Sequence, residues 1–336
     1  MTPDIMVPLV LPLAAWPVAR FVAPRLPPRT ASRLLTGSCL VLAAGSTAAL
    51  ALLALAGLPQ VPFVAAVGHL SPQTFREQEG VGIPVSIAAG IALAALTVLL
   101  ARTVIRYLRW TRRLTRELDA HDGHRDGEVL VLAGAEPLAF AAPGRGGRIV
   151  VSSGMLAALH PDEQRALLAH ERAHLASRHH LFLMALMAST TLNPLLRPLA
   201  TATGFALERW ADETAAHHVG DRTVVAHAVA KAALAGQPQH GFALAATSGP
   251  VPRRVSALLN NPAGHQTPAR VPAALLSALV LGITVLSAQT ALDSAADLHD
   301  GIEQAQGATA NRVAAATDTG RAGHRPRPRQ DQARLK

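Results

Sequence analysis

One cysteine, one tyrosine, three tryptophans and seven phenylalanines are all that 336 residues contain of those types. A lone Cys39 excludes an intrachain disulfide, so no covalent framework holds the fold and the redox compartment is unreadable. Aromatics at 3% leave few rings on which bases could stack. Lysine is nearly missing as well, with only Lys231 and Lys336. The formal charge of +9 is therefore carried by arginine, and the arginines gather beside apolar runs, where they set topology instead of tracking phosphates. No nucleic-acid partner is expected. Charged residues make up only 16% of the chain while half is hydrophobic, a balance that excludes a single ordinary soluble globule.

What is present is apolar length. A helical membrane span needs about 20 mostly apolar residues, and Leu35–Leu58, Pro84–Ala101 and Val271–Leu292 meet that requirement. Ile5–Ala19 is shorter and interrupted by Pro8, Pro12 and Pro17. It counts as a kinked span, since neighbouring helices can satisfy the freed carbonyls. Its only early charge is Asp4, which argues against a cleaved signal peptide. Arg20, Arg25, Arg29 and Arg33 follow the first span, and Arg102, Arg106, Arg109, Arg112, Arg113 and Arg116 follow the third. Both clusters are expected on the cytoplasmic side, with 59–83 outside. The expected location is the cell membrane, crossed several times.

After the third span, Arg102–Leu118 continues as a basic amphipathic helix. "HDGHRDGE" at 121–128 reads as a solvated turn. Short runs at Val129–Leu132, Leu138–Ala141 and Arg148–Val151, separated by glycine and proline turns, predict a small antiparallel sheet. Pro161, Asp162 and Glu163 open a helix running to about His179. The apolar stretch 181–207 is broken by "NPLLRP" and reads as a hairpin or re-entrant segment. Further helices are expected at 205–221, 224–234 and near 249–259.

Within the 161–179 helix stands "HERAH", with His170 and His174 four residues apart. That spacing puts both rings on one helix face, about 6 Å apart along the axis, where each can offer a nitrogen to one ion. Glu171 is angled beside that ion, where a carboxylate can take a proton from water. Fifteen histidines make the motif a chance event on the order of 0.02 times in a chain of this composition. A catalytic zinc needs a third protein ligand, and "ERWAD" offers Glu208, with Asp212 one turn on to hold a ligating imidazole.

"SSGMLAALHPDEQRALLAHERAHLASRHH", the apolar stretch with its central "NP", and "ERWADETAA" followed by "GD" resemble the integral-membrane gluzincin metallopeptidases. That group includes the BlaR/MecR-type receptor peptidases and is related to the HtpX and CAAX prenyl protease families. The likeness spans about 128–260. It implies one Zn2+ per chain held by His170, His174 and Glu208, Glu171 as general base, and Asp212 behind the ligands. Such families often carry a histidine-proline pair before an arginine late in the domain; here "GPVPRRV" keeps Pro250 and Arg254 but has Gly249 for the histidine. Arg254, His217, His218 and His180 are the candidates for stabilising the transition state.

The expected fold is mainly α and polytopic: about four transmembrane helices plus the hairpin, with a small α+β zincin-like cytoplasmic domain. Its divisions are a membrane region at 1–118, a metallopeptidase domain at 119–265 including the 181–207 hairpin, a last span at 266–292 and a polar, unstructured tail at 293–336. Two functions compete. The first is a zinc endopeptidase at the cytoplasmic face of the bilayer, cutting a protein or peptide such as a co-encoded transcriptional repressor, or serving membrane-protein quality control. In it, extended substrate pairs with Arg148–Ser152 as an exposed edge strand. The second is a non-catalytic signalling or scaffold protein that keeps a zinc-stabilised fold.

Overall fold

The structure is a computed structural model that describes residues 6–56, 82–120, 124–144, 147–236 and 251–260, with isolated helical positions between Ala278 and Gly307. The expected outside loop at 59–83 falls almost wholly outside the described residues. So do most of the 271–292 span and the 293–336 tail. The chain divides into two units, Met6–Thr47 with Ala94–Thr290, and the remainder. Every feature of the site described below belongs to the first.

That unit opens with Val7–Arg25, a succession of short α, 3-10 and π turns, as Pro8, Pro12 and Pro17 dictate by removing amide donors. Helix α1 (Pro28–Leu55) and helix α2 (Ile83–Ala120), whose Ala48–Leu55 and Ile83–Leu93 portions are counted in the other unit, are both long and apolar enough to cross a bilayer. Among the described residues only these two are; Val7–Phe21 is apolar but shorter, and the four expected spans are not all seen. Helix α2 is continuous from its apolar half through the basic half. Its Ile87, Ile91, Val98 and Leu99 are exposed, a run of surface that water disfavours.

The sheet follows: β1 (His124–Asp126), β2 (Val129–Leu132), β3 (Ala139–Ala142) and β4 (Arg148–Ser152), in the order β1-β2-β4-β3. Two expectations are corrected here. The sheet is mixed, because β4 runs parallel to β2 while β1 and β3 pair antiparallel to their neighbours. And β4 is no edge: it lies between β2 and β3, with Ile149, Val150 and Val151 fully buried, so among the described residues β3 forms the edge on that side. His124–Asp126 lies in β1 and not in a turn, while His121 and Asp122 fall outside the described residues.

Helices α3 (Ser153–Ala157), α4 (Pro161–Ala176), α5 (His179–Leu192), α6 (Arg197–Val219), α7 (Arg222–Ala235) and α8 (Val251–Leu259) complete the unit. Helix α4 starts where Pro161 fills the first helical position, and the Glu163 carboxylate accepts the His160 N–H at 2.9 Å. Burial would raise the Glu163 pKa, but the Lys231 ammonium at 2.7 Å and that N–H hold it below the ordinary carboxylate value.

The stretch 181–207 is a helical hairpin. Helix α5 stops at Asn193, whose side chain accepts the Leu195 N–H at 3.0 Å while Pro194 denies the helix its next donor. Asn193 Nδ2 also donates to Ser46 Oγ at 2.9 Å, and that hydroxyl reaches the Pro8 carbonyl at 2.9 Å. The turn is thus pinned to α1 and to the first segment, above a core of Leu35, Leu42, Leu186, Leu196 and Leu199.

Between α4 and α5 the backbone passes through Arg178 at φ 52, the sole non-glycine residue with positive φ among the described residues. A left-handed L-residue costs roughly 1–2 kcal/mol. Arg178→Gly is therefore expected to leave the unfolding midpoint unchanged or higher, whereas Arg178→Val, whose branched Cβ crowds the following carbonyl, costs roughly 1–2 kcal/mol; thermal unfolding of both variants in detergent checks the pair.

Candidate metal centre

Helices α4 and α6 present their buried faces to each other. Ala166 and Ala169 on α4 meet Ala215 and Ala216 on α6 in one apolar cluster, and such small side chains let helix axes approach closely. The same two faces carry His170 and Glu171 on one side, Glu208 and Asp212 on the other, all buried. Gly220, in left-handed backbone, ends α6, and the Asp221 carboxylate caps α7 by accepting the Thr223 N–H at 2.7 Å.

His170 Nε2 and His174 Nε2 lie 3.1 Å apart. Glu208 faces both, with Oε2 3.6 Å from His170 Nε2 and Oε1 3.5 Å from His174 Nε2. Tetrahedral ligands about 2.0–2.1 Å from a zinc ion are separated by roughly 3.3–3.4 Å. The three donors already stand at that spacing, and His170, His174 and Glu208 form a group able to hold a metal ion. Their chemistry fits as well: two imidazoles and a carboxylate are a ligand set that zinc takes, with a fourth position left open.

The surroundings fix these groups. Asp212 Oδ1 lies 3.0 Å from His170 Nδ1, an ion-pair distance without the alignment of a full hydrogen bond. Arg254, on α8, donates from Nε and Nη2 to the two Asp212 oxygens at 2.8 and 2.7 Å, and its Nη1 lies 3.0 Å from Glu208 Oε2. Helix α8 is itself tied to α6 and α7 through Arg222, which pairs with Glu213 and donates to the Leu258 carbonyl.

The electrostatics follow from burial set against charge. Burial would lower the His170 pKa, yet Asp212 and Glu208 push it up to about 10. His174 moves the other way, down to about 4, through burial first and then the cations at His170 and Arg254, with Glu208 opposing. Burial would raise Glu208, but His174, His170 and Arg254 hold it down at about 2. Asp212 is likewise held far below the usual range by Arg254 and His170 against its burial. Two carboxylates held low in pKa thus face the two imidazoles, a buried concentration of negative charge that suits a divalent cation. Glu171 differs: burial raises its pKa and the Glu208 charge adds to that, while His170, Arg254 and the Ala141 backbone on β3 pull it down.

A cavity of about 1660 Å³ opens over the centre, bounded by His170, Glu171 and His174, by Phe140 on β3, by Met184 on α5, and by Trp16 in the first segment. Its volume exceeds that of an ordinary small-molecule pocket.

Of the other expected residues, His180 is half-buried and lines this cavity. His217 and His218 are exposed in the last turn of α6, away from the cluster. Arg254 is brought into the centre in spite of Gly249, which itself falls outside the described residues. One residue went unnoticed in the sequence, His179. Its Nδ1 lies 2.9 Å from His174 Nδ1, and its ring packs on Trp210 with centroids 4.8 Å apart. The doublet "HH", separated from "HERAH" by the four residues "LASR", was the available signal.

No curated protein and no solved structure matches the chain. Residues 106–261, from the basic half of α2 to the end of α8, match Peptidase family M48, which supports a metallopeptidase of that family.

Proposed function

We propose that this chain is a membrane-embedded zinc endopeptidase working at the cytoplasmic face of the bilayer. The observation that carries the reading is the convergence of His170, His174 and Glu208 at metal-ligand spacing, with Glu171 beside them at the floor of an open cavity. In this proposal His170 Nε2, His174 Nε2 and a Glu208 oxygen hold the ion. Zinc bound there supplies Lewis acidity, making water acidic near pH 7 and polarising the scissile carbonyl. Glu171 takes the proton of the attacking water and returns it to the leaving amide nitrogen; burial, by raising its pKa, brings it nearer to that task. Asp212 orients His170, and Arg254 holds the Asp212 and Glu208 carboxylates in place. Substrate in extended form pairs along β3, which lies at the edge of the sheet among the described residues and whose Phe140 lines the cavity. His180, at the cavity wall, is the histidine left to contact the developing oxyanion.

The membrane part of the proposal rests on α1 and α2 and on the arginines that follow the apolar runs. Substrates are protein segments reached from that surface, such as a co-encoded repressor or a damaged membrane protein.

Removing the metal tests the core of this reading. Full-length protein in detergent is expected to carry one zinc per chain and to cleave casein or itself. An excess of 1,10-phenanthroline stops cleavage, and added zinc restores it. Cleavage that persists after complete metal removal overturns the assignment. One bound zinc with no cleavage of casein, itself or a neighbouring repressor favours the scaffold function instead.

A further inference from the structure

Resting on the metal centre proposed above, we infer that His179 is a positioning residue for His174: a neutral imidazole that locks the tautomer in which His174 can hold the ion. His174 turns Nε2 toward His170 and Glu208, at 3.1 and 3.5 Å. That nitrogen can offer a lone pair to a cation only when the ring proton sits on Nδ1. His174 Nδ1 has His179 Nδ1 at 2.9 Å, so His174 donates and His179 accepts on a bare Nδ1.

His179 must then carry its own proton on Nε2. That atom is buried without a hydrogen-bond partner, and the ring stands beside Phe182 and Trp210, with centroids 6.2 and 4.8 Å away. The reverse arrangement, with His179 donating to His174, leaves a proton on His174 Nε2 aimed into the cluster and closes it to a cation. The two histidine ligands are thus backed differently, His170 by the Asp212 carboxylate and His174 by an uncharged ring. The backbone makes this geometry. Arg178, at φ 52, interrupts the helix just before His179 and returns its ring to the α4 face.

Zinc affinity, read by competition with a chelating dye on full-length protein in detergent, tests the role without reference to activity. A Glu171→Gln background stops self-cleavage during the titration. His179→Phe keeps the packing on Trp210 but removes the acceptor, and is expected to weaken zinc binding about 10- to 100-fold, as loss of such a supporting group does elsewhere. His179→Asn sets an amide oxygen where Nδ1 stood and is expected to bind within about threefold of the wild-type residue. His179→Gln carries the same amide one carbon further out, beyond the Nδ1 position, and is expected to weaken binding as Phe does. If the Phe variant does not fold, the Asn and Gln pair decides. Equal affinity in the Phe variant, or an Asn variant as weak as Gln, overturns the inference. A protein that binds no zinc with His179 intact overturns the proposed metal centre itself, and this inference with it.

Discussion

Glu171→Gln is expected to keep one zinc per chain and to lower peptidase turnover by about 10²- to 10⁴-fold, the usual contribution of a positioned proton-transfer group. The substitution preserves shape and leaves His170, His174 and Glu208 untouched, so metal content should not fall. Glu171 is 8% exposed, and burial raises its pKa. An amide is easier to desolvate than a carboxylate, so the unfolding midpoint should hold or rise. Metal analysis, casein cleavage and thermal unfolding on the same preparation read all three quantities. A fully metal-loaded Gln variant that cleaves at the original rate ends the assignment of Glu171 as base.

Arg254→Met is expected to be the most destabilising single change in the centre. Arg254 is 8% exposed and is held by Asp212 at 2% and Glu208 at 3% exposure. Removing the guanidinium strands two buried anions, and breaking a buried pair from one side costs about 3–5 kcal/mol. The loss should be largest in zinc-free protein and partly recovered at saturating zinc, because the ion supplies positive charge beside Glu208. Unfolding midpoints with and without zinc measure both effects. Equal midpoints for the variant and the parent in zinc-free buffer would show that the contacts with Asp212 and Glu208 contribute nothing net. Arg254→Lys should recover little, since a single ammonium cannot span both carboxylates as the planar fork does.

The contrast between Arg254 and Glu171 marks how far the centre was readable in advance. Glu171, His170 and His174 share one helix, where a spacing of four residues maps directly onto one face. Asp212 and Glu208 share another for the same reason. Arg254 had no such periodic tie to either helix, and the missing histidine at Gly249 spoke against it. Its place depends on α8 packing across α6 and α7, which Arg222 and Leu258 secure. His179 was hidden by the period itself. On a continuous helix a residue five positions on points about 140° away from the first, and only the left-handed Arg178 cancels that rotation.

Composition and local periodicity by themselves determined the apolar helices α1 and α2, three of the four strands within a residue or so, the helix bearing "HERAH", and the break at Asn193 and Pro194. These depend on neighbours a few positions apart, whose hydrogen bonds and side-chain directions repeat with the backbone. Tertiary structure alone decided that β4 lies inside the sheet and β3 at its edge, that His217 and His218 stay at the surface, and that His179 and Arg254 enter the centre. Strand order and cross-helix contacts are pairings between distant segments, chosen by which buried faces fit together, and no local pattern encodes that choice.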